Sequence, residues 1–144
     1  MKLRAASADD VDAMSQIMGD WFTVTPFVPR LHTIEQDRWF IGQAIGKTDA
    51  VVADNDGVKG FIMRDGEDIG QLYIAADARG QGIGTALLDL MKSRTNRLGL
   101  WCFQANTGAR RFYERHGFVA ERFTDGSDNE EKRPDIRYSW SAEI

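Results

Sequence analysis

Residues 71–85 read Gln71-Leu72-Tyr73-Ile74-Ala75-Ala76-Asp77-Ala78-Arg79-Gly80-Gln81-Gly82-Ile83-Gly84-Thr85. This stretch constrains the fold more than any other. An apolar strand runs into three alternating glycines. An amphipathic helix follows from Gly82 to Arg97, with Ile83, Leu87, Leu90 and Met91 on one face. The first N–H groups of such a helix have no intrahelical partner, and its positive dipole end points at the turn. Glycines let the backbone approach a bulky anion and aim several N–H groups at it. Arg79 adds a fixed positive charge. The stretch predicts an anion site with phosphate as the natural guest, although a ligand-free strand-to-helix turn has the same pattern.

Two nucleotide motifs fail here. A phosphate loop of the Walker type needs Gly-Lys-Ser/Thr after its spacer, and Gly84 is followed by Thr85-Ala86. The dinucleotide fingerprint needs a βαβ unit, whereas the preceding strands read as antiparallel. Ala50 to Ala53 and Val58 to Met63 flank the turn Asp54-Asn55-Asp56-Gly57. A second turn at Asp65-Gly66-Glu67-Asp68 leads to a strand from Ile69 to Ala75.

The remaining elements follow from periodicity and caps. Lys2 to Ala6 predicts a first strand, and Ser7 caps a helix whose apolar face is Val11, Met14, Ile17 and Met18. Gly19, Pro26 and Pro29 mark residues 19–32 as a break with aromatic content. Thr33 and Gln36 form a capping box for a helix to Ile45, closed by Gly46. Gly99 reads as the stop of the long helix. A strand from Leu100 to Phe103, a helix from Thr107 to His116, and strands at Phe118–Phe123 and Ile136–Trp140 complete the order β-α-α-β-β-β-α-β-α-β-β. The 144 residues predict a single domain, 1–144. Its fold class is α/β (α+β), a mixed, mostly antiparallel central sheet flanked by helices.

Composition narrows the function classes. A net charge of −4 lacks the basic footprint of nucleic-acid binding. No apolar run reaches the length of a membrane span, and no signal-like segment opens the chain. One cysteine, Cys102, permits no internal disulfide and fits a cytoplasmic location. His32 and His116 show no ligand spacing with other residues, so no metal is expected.

The pattern Arg79-x-x-Gly82-x-Gly84 after an apolar strand resembles the pyrophosphate loop of the GNAT superfamily of acyl-CoA N-acetyltransferases. A second stretch, Leu100 to Phe118, is similar to that family's later motif: a strand, Asn106, a short helix with the pair Phe112-Tyr113, then Gly117-Phe118. The element order matches over the whole chain. The resemblance implies acetyl transfer from acetyl-CoA, as co-substrate, to a primary amine by direct attack through a tetrahedral intermediate. The acceptor is a small molecule or a protein N-terminus, and a homodimer stays open. The pyrophosphate would lie on Arg79, Gly80, Gln81, Gly82, Ile83, Gly84 and Thr85. The pantetheine arm would meet the backbone of Leu72, Tyr73 and Ile74, and Asn106.

By the same match, Tyr113 stands near the thioester sulfur as catalytic acid. A tyrosine of pKa about 10 protonates a thiolate of about 8.5 uphill by about 2 kcal/mol, so hydrogen bonding to sulfur matters as much as donation. Periodicity alone puts Tyr113 on a core face with Ala109, Phe112 and His116, and Asn106 also suits a helix N-cap. Many family members carry a glutamate near Gln71, and a glutamine cannot take up a proton. No base is assigned, and a non-catalytic acyl-CoA-binding protein is the alternative reading. Cys102 reads as inert core and His32 as an exposed loop residue. The run Asp128 to Arg133 reads as a solvated loop, with acidic recognition of cationic acceptors as its other reading. Acceptor choice is assigned to residues 19–32 and 124–135.

Overall fold

Alternating side chains build the sheet. In β2 (Asp49–Asp54), Ala50 and Val52 face one layer while Val51 and Ala53 face the other. In β3 (Val58–Asp65), Phe61 and Met63 oppose Ile62 in the same way. The intervening turn places Asp56 at φ 59° and Gly57 at φ 112°, and the Asp54 carboxylate accepts from the Gly57 amide at 3.1 Å. Strand β4 (Asp68–Ile74) completes the meander, and β1 (Lys2–Ala5) pairs antiparallel with β2.

The computed structural model describes residues 1–142. Strands β5 (Arg97–Phe103), β6 (Val119–Phe123) and β7 (Asp135–Ser141) extend the sheet to the order β1-β2-β3-β4-β5-β7-β6. Every neighbouring pair is antiparallel except β4 and β5. Helices α1 (Val11–Val24) and α2 (Ile34–Ile45) pack on one face around Met14, Met18, Ile41 and Phe61. Helices α3 (Ile83–Arg94) and α4 (Thr107–Arg115) cover the other, where Leu87, Leu88 and Met91 meet Ile62, Leu98 and Tyr138. The mixed, mostly antiparallel sheet flanked by helices is the architecture expected from sequence.

The sheet forks at its centre. Strands β4 and β5 share one register pair, Asp68 with Gly99, where the Gly99 amide donates to the Glu67 carbonyl at 2.8 Å. No further pair forms towards Ile74 and Phe103. On the other side of β4, Met63 faces Gln71 but Arg64 faces Ile69, so Gly70 is an extra residue, a β-bulge.

Two glycines act differently from their sequence reading. Gly19 does not break α1, which continues to Val24. Arg30 reaches back across it: a guanidinium N–H donates to the Gly19 carbonyl at 2.6 Å, and a Cβ at Gly19 would lie 2.9 Å from the guanidinium nitrogens. Gly99 does not end α3, which stops at Arg94; it lies inside β5, where the Arg137 guanidinium covers the space a Cβ would need. A short 3-10 turn at Ala76–Ala78 joins β4 to the glycine loop, and another at Ala8–Asp10, capped by Ser7, precedes α1.

Leu87 is fully buried between α3 and the sheet, whereas Trp39 on α2 is 69% exposed. Urea unfolding of Leu87→Ala is expected to show a loss of about 2–5 kcal/mol. Trp39→Ala is expected to stay within about 0.5 kcal/mol of the parent. Similar losses in both would contradict this placement of the core.

Candidate functional site

The glycine loop has the geometry an anion needs. Gly80 and Gly82 have φ of 76° and 80°, a region in which side chains are strained. Gly82 is the N-cap of α3 and, lacking a side chain, caps nothing; the first helical bond runs from the Ala86 amide to the Gly82 carbonyl at 3.0 Å. The amides of Ile83, Gly84 and Thr85 therefore lack intrahelical partners at the positive end of the helix. No acidic residue lies in that first turn. Arg79 and Gln81 are exposed beside it.

The other loop positions have separate tasks. Ile83 is buried in the core, so only its backbone can serve a ligand. A Cβ on Gly84 would meet the Phe112 ring at 3.3 Å, so this glycine permits close packing of α4 on α3. The Thr85 hydroxyl turns inward to His116 Nε2 at 3.1 Å, while His116 Nδ1 lies 2.7 Å from the Phe112 carbonyl. A carbonyl only accepts, so Nδ1 carries the proton and Nε2 accepts from Thr85. Thr85 thus offers the loop its amide alone.

A cleft of about 350 Å³ opens where β4 and β5 part. Leu72, Tyr73 and Ile74 line one wall, Leu100 to Phe103 the other, and Arg79, Asn106 and Tyr113 stand around it. Asn106 does cap α4, its side-chain oxygen accepting from the Ala109 amide at 3.2 Å, while facing the cleft. Tyr113 is half-buried, with its ring 5.3 Å from Phe112 and 5.6 Å from Phe118. Its hydroxyl has no hydrogen-bond partner among the described residues. Burial, then the nearby Cys102 and Tyr73, push it well above the ordinary tyrosine range. Burial also pushes the Cys102 thiol up to about 11, so it stays protonated near neutral pH and is a poor nucleophile.

A second cavity of about 600 Å³ lies on the α1 and α2 side of the same strands. It shares Gly70, Tyr73, Trp101 and Phe103 with the cleft, so the two spaces have a common wall at the fork. The alternation of β4 divides the strand: Leu72 and Ile74 pack towards α3, while Tyr73 packs against Phe22 and Phe61. Gln71 faces this second cavity. Two loops close over it, because His32 Nε2 and the Glu130 carboxylate lie 2.6 Å apart. That hydrogen bond raises the pKa of His32 above its ordinary value.

The structure brings Leu72, Tyr73, Ile74, Asn106 and Tyr113 around one cleft together with Arg79, the one residue of the glycine loop that lines it. It also joins residues 19–32 to 124–135, which sequence left as separate segments. The bulge at Gly70 and the exposure of Trp101 to both cavities went unnoticed. The second had a signal, since Trp101 alternates with buried Leu100 and Cys102.

Comparison with known proteins adds kinship. A family model described as the acetyltransferase (GNAT) domain matches residues 39–120. An uncharacterized N-acetyltransferase of Methanocaldococcus jannaschii is 33% identical over 98 residues, 64% of this chain and 43% of that protein. The peptidyl-lysine N-acetyltransferase YjaB of Salmonella typhimurium is 37% identical over 67 residues, 46% of each. The matched stretch thus spans less than half of either relative. A phosphinothricin acetyltransferase from Sinorhizobium meliloti, solved in complex with acetyl-CoA, shares the fold with a TM-score of 0.78 at 16% identity. That match covers 97% of this chain and 87% of the other.

The loop contact can be checked directly. The charged His32–Glu130 pair is complete below the ordinary histidine pKa of about 6.5 and is lost as pH rises through the raised value. An NMR titration is expected to place the His32 midpoint above about 6.5, and Glu130→Gln to return it towards that value. A midpoint indifferent to the substitution would show that the two loops do not meet in solution.

Proposed function

The chain belongs to the GNAT acetyltransferase family, and on that premise we propose that it transfers an acetyl group from acetyl-CoA to a primary amine. One observation supports this reading: the fork between β4 and β5 opens a cleft that Arg79 of the glycine loop lines and that shares a wall with a second cavity. The Sinorhizobium neighbour was solved with acetyl-CoA, which supports the choice of donor. The pyrophosphate rests on the loop Arg79 to Thr85, chiefly on backbone amides. The pantetheine arm lies along Leu72, Tyr73 and Ile74 in place of a neighbouring strand, beside Asn106.

The amine enters from the second cavity and attacks the thioester carbonyl. Its nitrogen lone pair forms the N–C bond and the carbonyl pair moves to oxygen; collapse of the intermediate then breaks the C–S bond, the sulfur leaving as thiolate and the nitrogen giving its extra proton to water. Backbone donors near the Gly70 bulge, which β5 does not pair, face the oxyanion. The Tyr113 hydroxyl stabilises the departing thiolate. Its raised pKa makes it a hydrogen-bond donor first and a poor proton source.

The ammonium must lose a proton before it attacks. Gln71 cannot accept it, and water in the second cavity takes it away. The same glutamine favours the rival reading of an acyl-CoA-binding protein without turnover. A peptidyl-lysine, an N-terminus and a small amine are all primary amines, and the reaction itself does not choose among them.

Calorimetric titration with acetyl-CoA and CoA is expected to show saturable binding that NAD and ATP do not reproduce. Gly82→Glu, which puts a bulky anion into the loop at a φ of 80°, is expected to abolish it. Absence of acetyl-CoA binding by folded parent protein would overturn the reading. Tyr113→Phe is expected to keep coenzyme affinity and lower kcat, and equal loss of both would make Tyr113 structural.

With no resident base, kcat/KM is expected to rise about tenfold per pH unit between about pH 6 and about pH 8. A plateau in that window would reveal a base in the chain.

A further inference from the structure

The second cavity carries more information than its position. Its walls are strongly aromatic, with Phe22, Trp39, Phe40, Tyr73, Trp101 and Phe103 facing in from four elements. Its charges are one-sided. The carboxylates are Asp37, Glu130 and Glu131, and no lysine or arginine among the described residues lines it.

Two of the three carboxylates are already engaged. Asp37 receives the Arg30 guanidinium at 3.2 Å, and Glu130 holds His32. The Glu131 carboxylate has no side-chain or backbone partner among the described residues. It is half-buried and lines the cavity beside Glu130 and Tyr73. Among the described residues lining the cavity, His32 is the one that protonation makes cationic, and it already bonds Glu130. Among the described residues lining the cavity, one negative charge is therefore free, and no positive charge is.

Resting on the acetyl-transfer reading above, we infer that the acceptor is a primary ammonium on an apolar or aromatic stem with no anionic group beside it, and that Glu131 selects it. A free amino acid fits poorly. Its ammonium would find Glu131, but its carboxylate would be brought among aromatic rings and three carboxylates with no cation to pair with. An arylalkylamine places its ring against the aromatic walls, which also favour its cationic end. A lysine side chain in a polypeptide carries the same chemistry on an alkyl stem.

The test uses matched pairs. 2-Phenylethylamine and L-phenylalanine differ by one carboxylate, and a short neutral peptide with one lysine and blocked ends supplies the polypeptide source. Each is titrated into coenzyme-free protein, reading calorimetry and the intrinsic tryptophan fluorescence, to which Trp39 and Trp101 of the cavity contribute, and each is then assayed by CoA release. Saturable binding of 2-phenylethylamine or the lysine peptide is expected, with L-phenylalanine weaker by about tenfold or more. Preference between the first two identifies the source of the stem. Glu131→Gln is expected to weaken the ammonium ligand about tenfold or more while leaving acetyl-CoA affinity intact, and Glu131→Asp to recover part of the loss.

Equal or tighter binding of L-phenylalanine overturns the inference. So does Glu131→Gln with unchanged affinity, or failure of both ammonium ligands to bind. These binding arms stand without coenzyme, so failure of acetyl-CoA to bind would remove the acetyl-transfer reading separately.

Discussion

The parallel approach of β4 and β5, joined at one register pair, is the constraint on which the site depends. A strand inside a sheet has backbone N–H and C=O groups on both edges, and buried ones must find partners. Beyond Asp68, β4 has β3 on one edge and no strand on the other. The groups on that open edge can pair with water or with an extended ligand running beside them. The fork thus stores binding capacity in the backbone, where side-chain substitution cannot easily remove it. It also leaves Arg79 and Tyr113 of α4 around the same cleft as the open edge of β4.

The fork is held by interactions at its closed end. The Gly99 amide reaches the Glu67 carbonyl, and Arg137 spans from β7 to Asp68 at 2.5 Å while its guanidinium lies 5.6 Å from the Trp101 ring. Gly99 leaves room there for the Arg137 guanidinium, which fills the space above its Cα. The bulge at Gly70 follows immediately. The strands therefore meet where a charged pair and a glycine lock them, and separate where bulky side chains line both walls. The two sides of the opening have opposite electrical character: amides and Arg79 on the α3 side, unpaired Glu131 on the α2 side. An anionic donor and a cationic acceptor would be drawn to different faces and meet at Tyr73 and Trp101.

Most of the fold was legible because its signals are local. The capping box at Thr33 and Gln36, the Asp54–Gly57 turn and the alternation in β2 and β3 each act within a few residues. Gly19 and Gly99 misled because their partners are distant: Arg30 is eleven residues away from the first and Arg137 is on another strand. A glycine chosen to admit a side chain from elsewhere looks, in sequence, like a glycine that ends a helix. The cleft was legible through motif spacing and the second cavity was not. Its walls come from β4, β5, α1, α2 and two loops, and only their assembly shows that Glu131 has no partner among the described residues while Asp37 and Glu130 do.

The environment of Tyr113 bears on how the thiolate leaves in the proposed reaction. At their free values, tyrosine is about 1.5 units weaker an acid than a thiol, so full transfer costs about 2 kcal/mol. Burial raises the tyrosine further, and with it the cost of handing over the proton. The same burial strengthens a hydrogen bond to a developing charge, because less water competes for it. Tyr113 has no hydrogen-bond partner among the described residues to surrender first, so its hydroxyl can turn to sulfur without breaking such a bond. An enzyme built this way gains from the tyrosine while the C–S bond is breaking and need not deprotonate it. Proton delivery to the thiolate can then follow from water after the acetyl group has moved, which leaves Tyr113 neutral and ready for the next donor.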